Sequence, residues 1–245
     1  MGPYFAVGLG APGEPAPGGF TPIRELYAPG GPLTVRVAAA TGQLRTSETR
    51  VAVSVLHLGL AARLWSVALG AAALGPGLPE LGPDTLHHRW PADGPLELWL
   101  PAPEPEPAAG HAPDLATAVH RTVIGGHLTP LHDTLRAITP IAPRLLWGNA
   151  ASALTGSLQI LHTRIAPTHP AAAATALRVT QQLLAATPLL GTGVLAPDEF
   201  SPPSAPQRFR RSTCCLYYRL PAGGTCGDCV FGTRPPRPRS ATPTI

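Results

Sequence analysis

The sequence predicts an α+β domain that is mostly helical, with few short antiparallel strands and a small C-terminal hairpin that carries cysteines. Stretches with apolar residues at helical spacing outnumber the short stretches in which apolar and polar residues alternate. The hydrophobic fraction is 44% and the charged fraction only 13%, which is enough apolar material for a buried core. All four cysteines lie between residues 214 and 229, which indicates a chemical function for the C-terminal region.

The N-terminal part of the chain carries few signals of regular structure. Residues 1–32 are rich in glycine and proline, and we interpret them as an extended or partly disordered segment. Phe20, Ile23 and Leu26 are the candidates for docking this segment onto the body of the protein. Residues 33–37 alternate apolar and polar side chains, which indicates a short strand.

The most apolar stretch of the chain, residues 51–75, predicts a helix over residues 46–74. Its length raises the question of a membrane span. His57 and Arg63 lie near its middle, however, which favours a buried amphipathic helix. We therefore expect no transmembrane segment, although transient proximity to a membrane is compatible with the chain.

Further elements follow in the middle of the chain. Residues 86–90 and 96–100 are predicted as two short strands around a turn. Helical spacing then predicts three more helices, over residues 115–138 with a bend at Pro130, 144–165 and 171–187.

Composition divides the chain into four parts. These are a Pro/Gly-rich N-terminal segment (1–32), a mainly helical domain (33–207), a cysteine motif (208–232) and a disordered tail (233–245). Seven arginines and one acid lie between Arg208 and Arg239, so this region carries +6 although the whole chain carries only +4. The basic character thus belongs to the cysteine region, and we expect no nucleic-acid partner. The N-terminus lacks the pattern of a signal peptide, which predicts a cytoplasmic location.

The cysteines follow the pattern Cys-Cys-x10-Cys-x2-Cys, at Cys214, Cys215, Cys226 and Cys229. In a reducing compartment, clustered cysteines are more often metal ligands than disulfides. Residues 216–220 look strand-like and residues 221–224 look like a turn. A hairpin at this place would bring the four sulfur atoms to one point, so we predict one metal site.

Four thiolates suit either an iron–sulfur cluster or Zn²⁺, and thiol redox chemistry or a vicinal disulfide is a third interpretation. Adjacent cysteines favour the cluster, because neighbouring side chains in extended backbone point apart. Nearby positive charge would stabilise a reduced cluster. Four arginines near the cysteines could supply this positive charge: Arg208, Arg210, Arg211 and Arg219. The alternative interpretation is that they form only a solvated basic surface.

The stretch Arg-Ser-Thr-Cys-Cys-Leu-Tyr-Tyr-Arg at 211–219, with Gly-Thr-Cys-Gly-Asp-Cys at 224–229, resembles the C-terminal motif of the FhuF-type ferric-siderophore reductases. Residues 59–66 and 145–153 are similar to helical segments of actinobacterial members of that family. The resemblance implies that the four cysteines hold a [2Fe–2S] cluster.

The resemblance also implies an enzymatic activity: one-electron reduction of a ferric siderophore, of hydroxamate type, with release of Fe(II) in the cytoplasm. A ferredoxin or a flavin-dependent reductase would supply the electron, and an acidic ferredoxin would be attracted to the basic region. Candidate contacts to the siderophore or to the donor are Arg63, Arg210, Arg211 and Arg219.

Two other functions remain open from the residues alone. One is a non-catalytic protein that binds a siderophore or another partner and uses the four-cysteine metal site only as a structural staple. The other is a cluster-based iron or redox sensor. The nine histidines meet no ligand spacing and are interpreted as ordinary core or surface residues. Gly148, Ser152 and Gly156 give the helix at 144–165 a bare face, either for close packing or for lining the site, and Asn149 lies beside it.

Overall fold

The structure is a computed structural model that describes residues 3–11, 13–92, 94–102, 114–196 and 208–231. Helices dominate these ranges and the strands are few and short, which confirms the predicted fold class. The tail predicted at 233–245 lies outside the described residues.

Two long helices form the centre of the fold. Helix α2 (Thr49–Leu74) packs along α5 (Pro143–Ile165), and α1 (Pro32–Gln43) and α6 (Pro170–Leu184) pack against this pair. Helix α2 is long and apolar enough to cross a membrane, but 72% of its most apolar window is buried inside the fold. Trp65 at its middle is fully buried. The apolar character of α2 thus serves the core, as the sequence predicted.

The helix predicted over 115–138 is one continuous helical segment with a widened middle. It consists of α3 (Leu115–Val119), a π-helical stretch (His120–Leu128) and α4 (Thr129–Ile138). The wider stretch ends at Leu128, two residues before Pro130, whose ring nitrogen cannot donate a backbone hydrogen bond. The backbone N–H of Thr129 accordingly bonds the carbonyl of Ile124, five residues back.

A small four-stranded sheet covers one end of the helices, in the order β1-β4-β3-β2. β3 (His87–Arg89) and β4 (Glu97–Leu100) form the predicted antiparallel pair. The N-terminal segment supplies the two edges: β2 (Thr21–Pro22) pairs antiparallel with β3, and β1 (Gly8–Leu9) pairs parallel with β4. Behind β2, the predicted docking residues Ile23 and Leu26 are buried.

The strand predicted at 33–37 was wrong, because these residues begin α1. Pro32 occupies the first turn of the helix, where its missing N–H costs nothing. Leu33, Val37 and Ala40 then fall on one buried face at helical spacing. A stretch of only five residues fits the side-chain period of a strand and also that of a helix. Packing against α2 favours the helix.

A second, two-stranded sheet leads into the cysteine motif. β5 (Gly193–Ala196) pairs antiparallel with β6 (Arg208–Arg211), with Gly193 opposite Arg211. The strand expected at 216–220 was wrong as well, because residues Tyr217–Arg219 form a 3-10 turn. Leu216 precedes this turn with a φ of +66°, a left-handed conformation that is costly for a side chain other than glycine. The chain after Cys215 therefore reverses in a tight turn rather than in a strand hairpin.

Candidate metal centre

The cysteine loop, residues 212–231, begins where β6 ends and is tied at both of its ends. The backbone N–H of Arg211 donates to the carbonyl of Asp228 at 3.1 Å, and that of Ser212 donates to Thr192 at 2.8 Å. At Gly223 a Cβ atom would overlap the carbonyl oxygen of Tyr217, so only glycine permits this close approach. These contacts fold the loop back on itself.

The fold of the loop brings the cysteines of its two ends together. The Sγ atoms of Cys215 and Cys226 lie 3.5 Å apart. All four cysteines are free thiols; Cys215 is buried, whereas Cys214, Cys226 and Cys229 are half-buried. The cysteines thus share one place between the interior and the surface.

The distance between Cys215 and Cys226 suits two ligands of one metal atom. Two thiolates at about 2.3 Å from a tetrahedral metal are about 3.8 Å apart. The donor set of four thiols fits an iron–sulfur cluster. Within the described part of the chain, however, no group of three or more His, Cys, Asp or Glu side chains is arranged to hold a metal ion. The loop therefore presents the right donors without a closed cage around a single ion.

The thiols differ in acidity. Hydrogen bonds with the Cys214 and Cys226 side chains hold the pKa of Cys215 well below its ordinary value, and the charge of Arg211 adds to this effect. The pKa of Cys214 and that of Cys226 are raised, first by their hydrogen bonds to Cys215 and then by burial. Cys215 accordingly ionises more easily than Cys214 and Cys226, and the thiolate is the form that binds metals.

A buried polar network fixes the Cys215 end of the loop to the helical core. Ser54 of α2 donates its hydroxyl to the carbonyl of Cys215 at 2.7 Å. Asn149 of α5 donates through Nδ2 to the Ser54 hydroxyl and to its carbonyl, both at 2.9 Å. The Oδ1 atom of Asn149 accepts a hydrogen bond from Nη2 of Arg211. Both central helices thus hold the loop through Ser54 and Asn149.

The bare face of α5 meets the loop at Gly148 but not at Gly156. A Cβ at Gly148 would overlap the Thr213 hydroxyl and lie 3.3 Å from Nη2 of Arg211. At Gly156 the same Cβ would meet no atom within 4 Å. Of the two interpretations open from the sequence, close packing applies at Gly148, and lining of the site stays a prediction.

The four arginines predicted to act near the cysteines occupy three different environments. Arg208 and Arg210 are exposed, and Arg210 bonds the carbonyl of Val230 at 3.3 Å. Arg219 forms an ion pair with Glu48, with Nη2 and Oε1 2.7 Å apart. Arg211 is only 1% exposed, so its guanidinium does not reach the surface.

Arg63 lies away from the cysteine loop and is engaged by backbone carbonyls. Its Nε donates to Leu96 at 3.1 Å, its Nη1 to Tyr4 at 2.5 Å and its Nη2 to Ala6. It also lines a cavity of about 240 Å³ between α1, α2 and the connection from β3 to β4. Its predicted contact with a chelate stays a prediction.

A buried histidine pair close to this network was not predicted from the sequence. The Nε2 atoms of His57 and His132 lie 2.8 Å apart, and the ring of His132 packs edge-on against Trp147 at 4.2 Å between centroids. Burial lowers the pKa of both imidazoles, that of His132 to about 3. The two residues are 75 positions apart, and no local pattern signals such a pairing.

Comparison with known families agrees with the resemblance seen in the sequence. Residues 211–231 match the family described as the FhuF 2Fe-2S C-terminal domain. The match confirms the recognised motif and the predicted [2Fe–2S] cofactor, and it covers all four cysteines. No curated protein matched the chain.

Proposed function

We propose that this protein is an iron–sulfur oxidoreductase that reduces a ferric siderophore, of the hydroxamate class, in the cytoplasm. The observation that carries the proposal is the 3.5 Å approach of Cys215 and Cys226 inside the segment that matches a [2Fe–2S] domain. A [2Fe–2S] cluster, when bound, accepts and gives up one electron at a time. One electron is what Fe(III) needs to become Fe(II), which hard oxygen ligands hold more weakly.

In this proposal the ligands are Cys214, Cys215, Cys226 and Cys229. Cys215 is held from inside, because Ser54 bonds its carbonyl and its thiol is buried. The other three are half-buried, so their end of the site lies close to solvent. A redox partner or a chelate can therefore approach the site without any opening of the helical core.

The outer surface of the cysteine loop suits a protein donor of opposite charge. Arg208 and Arg210 are exposed at its base, and the loop also exposes the rings of Tyr217 and Phe231. Aromatic and arginine side chains together are typical of protein interfaces. We propose an acidic ferredoxin as the donor, with a flavin-dependent reductase as the other candidate. Arg210 and Arg219 are the proposed contacts, whereas the burial of Arg211 does not suit a docking role.

The function is tested on purified protein whose cluster has been reconstituted without oxygen. Visible absorption that dithionite bleaches, with two iron and two sulfide per chain, is expected. The reduced protein is then mixed with a ferric hydroxamate chelate and a colorimetric Fe(II) trap. The Fe(II) formed should equal the electrons lost by the protein, one for one.

The matched control is the Cys229→Ser variant, carried through the same reconstitution and assay. It should neither give the wild-type spectrum nor release Fe(II). A colourless wild-type protein with one zinc per chain would favour the non-catalytic protein with a structural four-cysteine metal site instead. A reducible cluster that leaves every ferric siderophore untouched would favour the sensor, and either result would refute the proposed reduction.

The docking surface is tested by charge reversal. Arg210→Glu should slow reduction of the protein by an acidic ferredoxin and weaken the dependence of that rate on salt concentration. Its reduction by dithionite should keep the wild-type rate. Equal rates with ferredoxin in both proteins would exclude Arg210 as a contact.

A further inference from the structure

Arg211 is a buried cation whose hydrogen bonds are incomplete. It is 1% exposed, and Nη2 donates to Oδ1 of Asn149. Its Nε and Nη1 are buried and have no hydrogen-bond partner among the described residues. A guanidinium carries its charge at every accessible pH. Burying such a charge without an anion is strongly unfavourable, so the site requires a negatively charged occupant.

No carboxylate supplies that charge among the described residues. None of the ion pairs found there includes Arg211. Asp228 accepts the backbone N–H of Arg211 through its own carbonyl, but its side-chain Oδ2 is buried and without a hydrogen-bond partner. Asn149, which accepts the hydrogen bond of Arg211, is neutral, and the pKa of His57 is lowered by burial, by His132 and by Arg211 itself.

The position of Arg211 connects it to the cysteines. It ends β6, three residues before Cys214. Asn149 joins it to Ser54, which bonds the carbonyl of Cys215. Arg211 therefore lies at the inner side of the cysteine loop, opposite the surface at which Arg208 and Arg210 are exposed.

We propose that Arg211 is the buried counter-charge of the cluster. It is a positioning residue whose free Nε and Nη1 donate hydrogen bonds to the sulfur atoms of the site and whose orientation is fixed by Asn149. The inference rests on the proposed assignment of the four cysteines as ligands. A tetrathiolate [2Fe–2S] cluster is negative and gains a further negative charge on reduction. A buried cation stabilises the reduced form more than the oxidised form and so raises the reduction potential. Exposed arginines do this less, because water and salt screen them.

The test is the midpoint potential of the reconstituted protein, measured by a redox titration followed in the visible spectrum and by electron paramagnetic resonance. Arg211→Gln should make reduction at least tenfold less favourable, a shift of about 59 mV to lower potential. Arg208→Gln is the matched control, an exposed arginine of the same strand, and should change the equilibrium less than threefold. Equal shifts in the two variants, or none in Arg211→Gln, would overturn the inference.

A second variant covers the case in which Arg211→Gln does not hold a cluster. Arg211→Lys keeps a positive charge at the site without the planar guanidinium. The cluster content should stay near that of the wild type, and the reduction equilibrium should change less than threefold. A tenfold less favourable reduction, a shift of about 59 mV, in a cluster-loaded Arg211→Lys would contradict the role of the charge. Wild-type protein without any reducible cluster would instead refute the proposed function, so the two failures can be told apart.

Discussion

The hydroxyl of Ser54 donates a 2.7 Å hydrogen bond to the backbone carbonyl of Cys215, which joins the central helix to a residue 161 positions further along the chain. The bond is buried, and Asn149 supports it from α5. The cysteine loop is thus a part of the core at one end and a surface loop at the other.

Removal of this bond should loosen the loop without removing a proposed ligand. Ser54→Ala leaves the carbonyl of Cys215 buried and without its donor, which costs about 1–3 kcal/mol. We expect a lower urea midpoint and faster loss of the visible spectrum in the presence of an iron chelator. Ser152→Ala, a half-buried serine of α5, is the control and should stay close to the wild type in both measurements. Equal chelator resistance of Ser54→Ala and wild type would show that the bond does not hold the loop.

Two glycines of α5 offer a matched pair of substitutions. Gly148→Ala forces a methyl group into the Thr213 hydroxyl, and overpacking of this kind costs about 1–3 kcal/mol. Gly156→Ala enters open space and replaces a poor helix former, so it should add about 1 kcal/mol of stability. The measurements are the urea midpoint and the cluster content of the two variants, both of which should be lower in Gly148→Ala than in Gly156→Ala. If Gly148→Ala were as stable as Gly156→Ala, the close contact between α5 and the loop would not exist in solution.

The adjacent cysteines should both be required for the wild-type spectrum. Cys215→Ser replaces the buried thiol of the adjacent pair with a hydroxyl that binds iron weakly at neutral pH. We expect loss of the cluster or a shift of its absorption bands, measured with iron and sulfide content after reconstitution. Wild-type cluster content with an unchanged spectrum would exclude Cys215 as a ligand.

The buried histidine pair should make folding stability depend on pH. Burial, and then the charge of Arg136, lower the pKa of His132 to about 3 in the folded protein, against about 6.5 in the unfolded chain. Below pH 6.5 the unfolded chain therefore binds the proton and the folded protein does not. The contribution of His132 to the free energy of unfolding is therefore fully present above pH 6.5. It is lost as the pH drops from about 6.5 towards 3. Between pH 7 and pH 5 the contribution of His132 is about 2 kcal/mol.

Urea unfolding at several pH values, compared between wild type and His132→Gln, measures this contribution. The difference in free energy of unfolding between pH 7 and pH 5 should shrink in the variant. His169→Gln, at an exposed position, should keep the wild-type difference. An unchanged pH dependence in His132→Gln would mean that the imidazole is not buried in its neutral form.

Much of the helical frame was predictable because its signals are local. The apolar residues of α2 and α5 recur at helical spacing over many turns. The short segments were less certain. Residues 33–37 alternate like a strand but begin α1, and residues 216–220 turn because the carbonyl of Tyr217 packs directly against Gly223. In such short stretches, packing outweighs the period of the side chains.

The sequence by itself determined the donor set and the type of cofactor. The four cysteines and their spacing form a motif within one short stretch of sequence, and this motif resembles a [2Fe–2S] domain. It can be identified without any tertiary information. The tertiary structure alone decided which residues support them. Ser54, Asn149 and Arg211 come from three distant elements, and Arg211 looks like its exposed neighbours in the sequence. The physical reason is that burial determines the strength of a charge or a hydrogen bond, and burial depends on how distant segments pack.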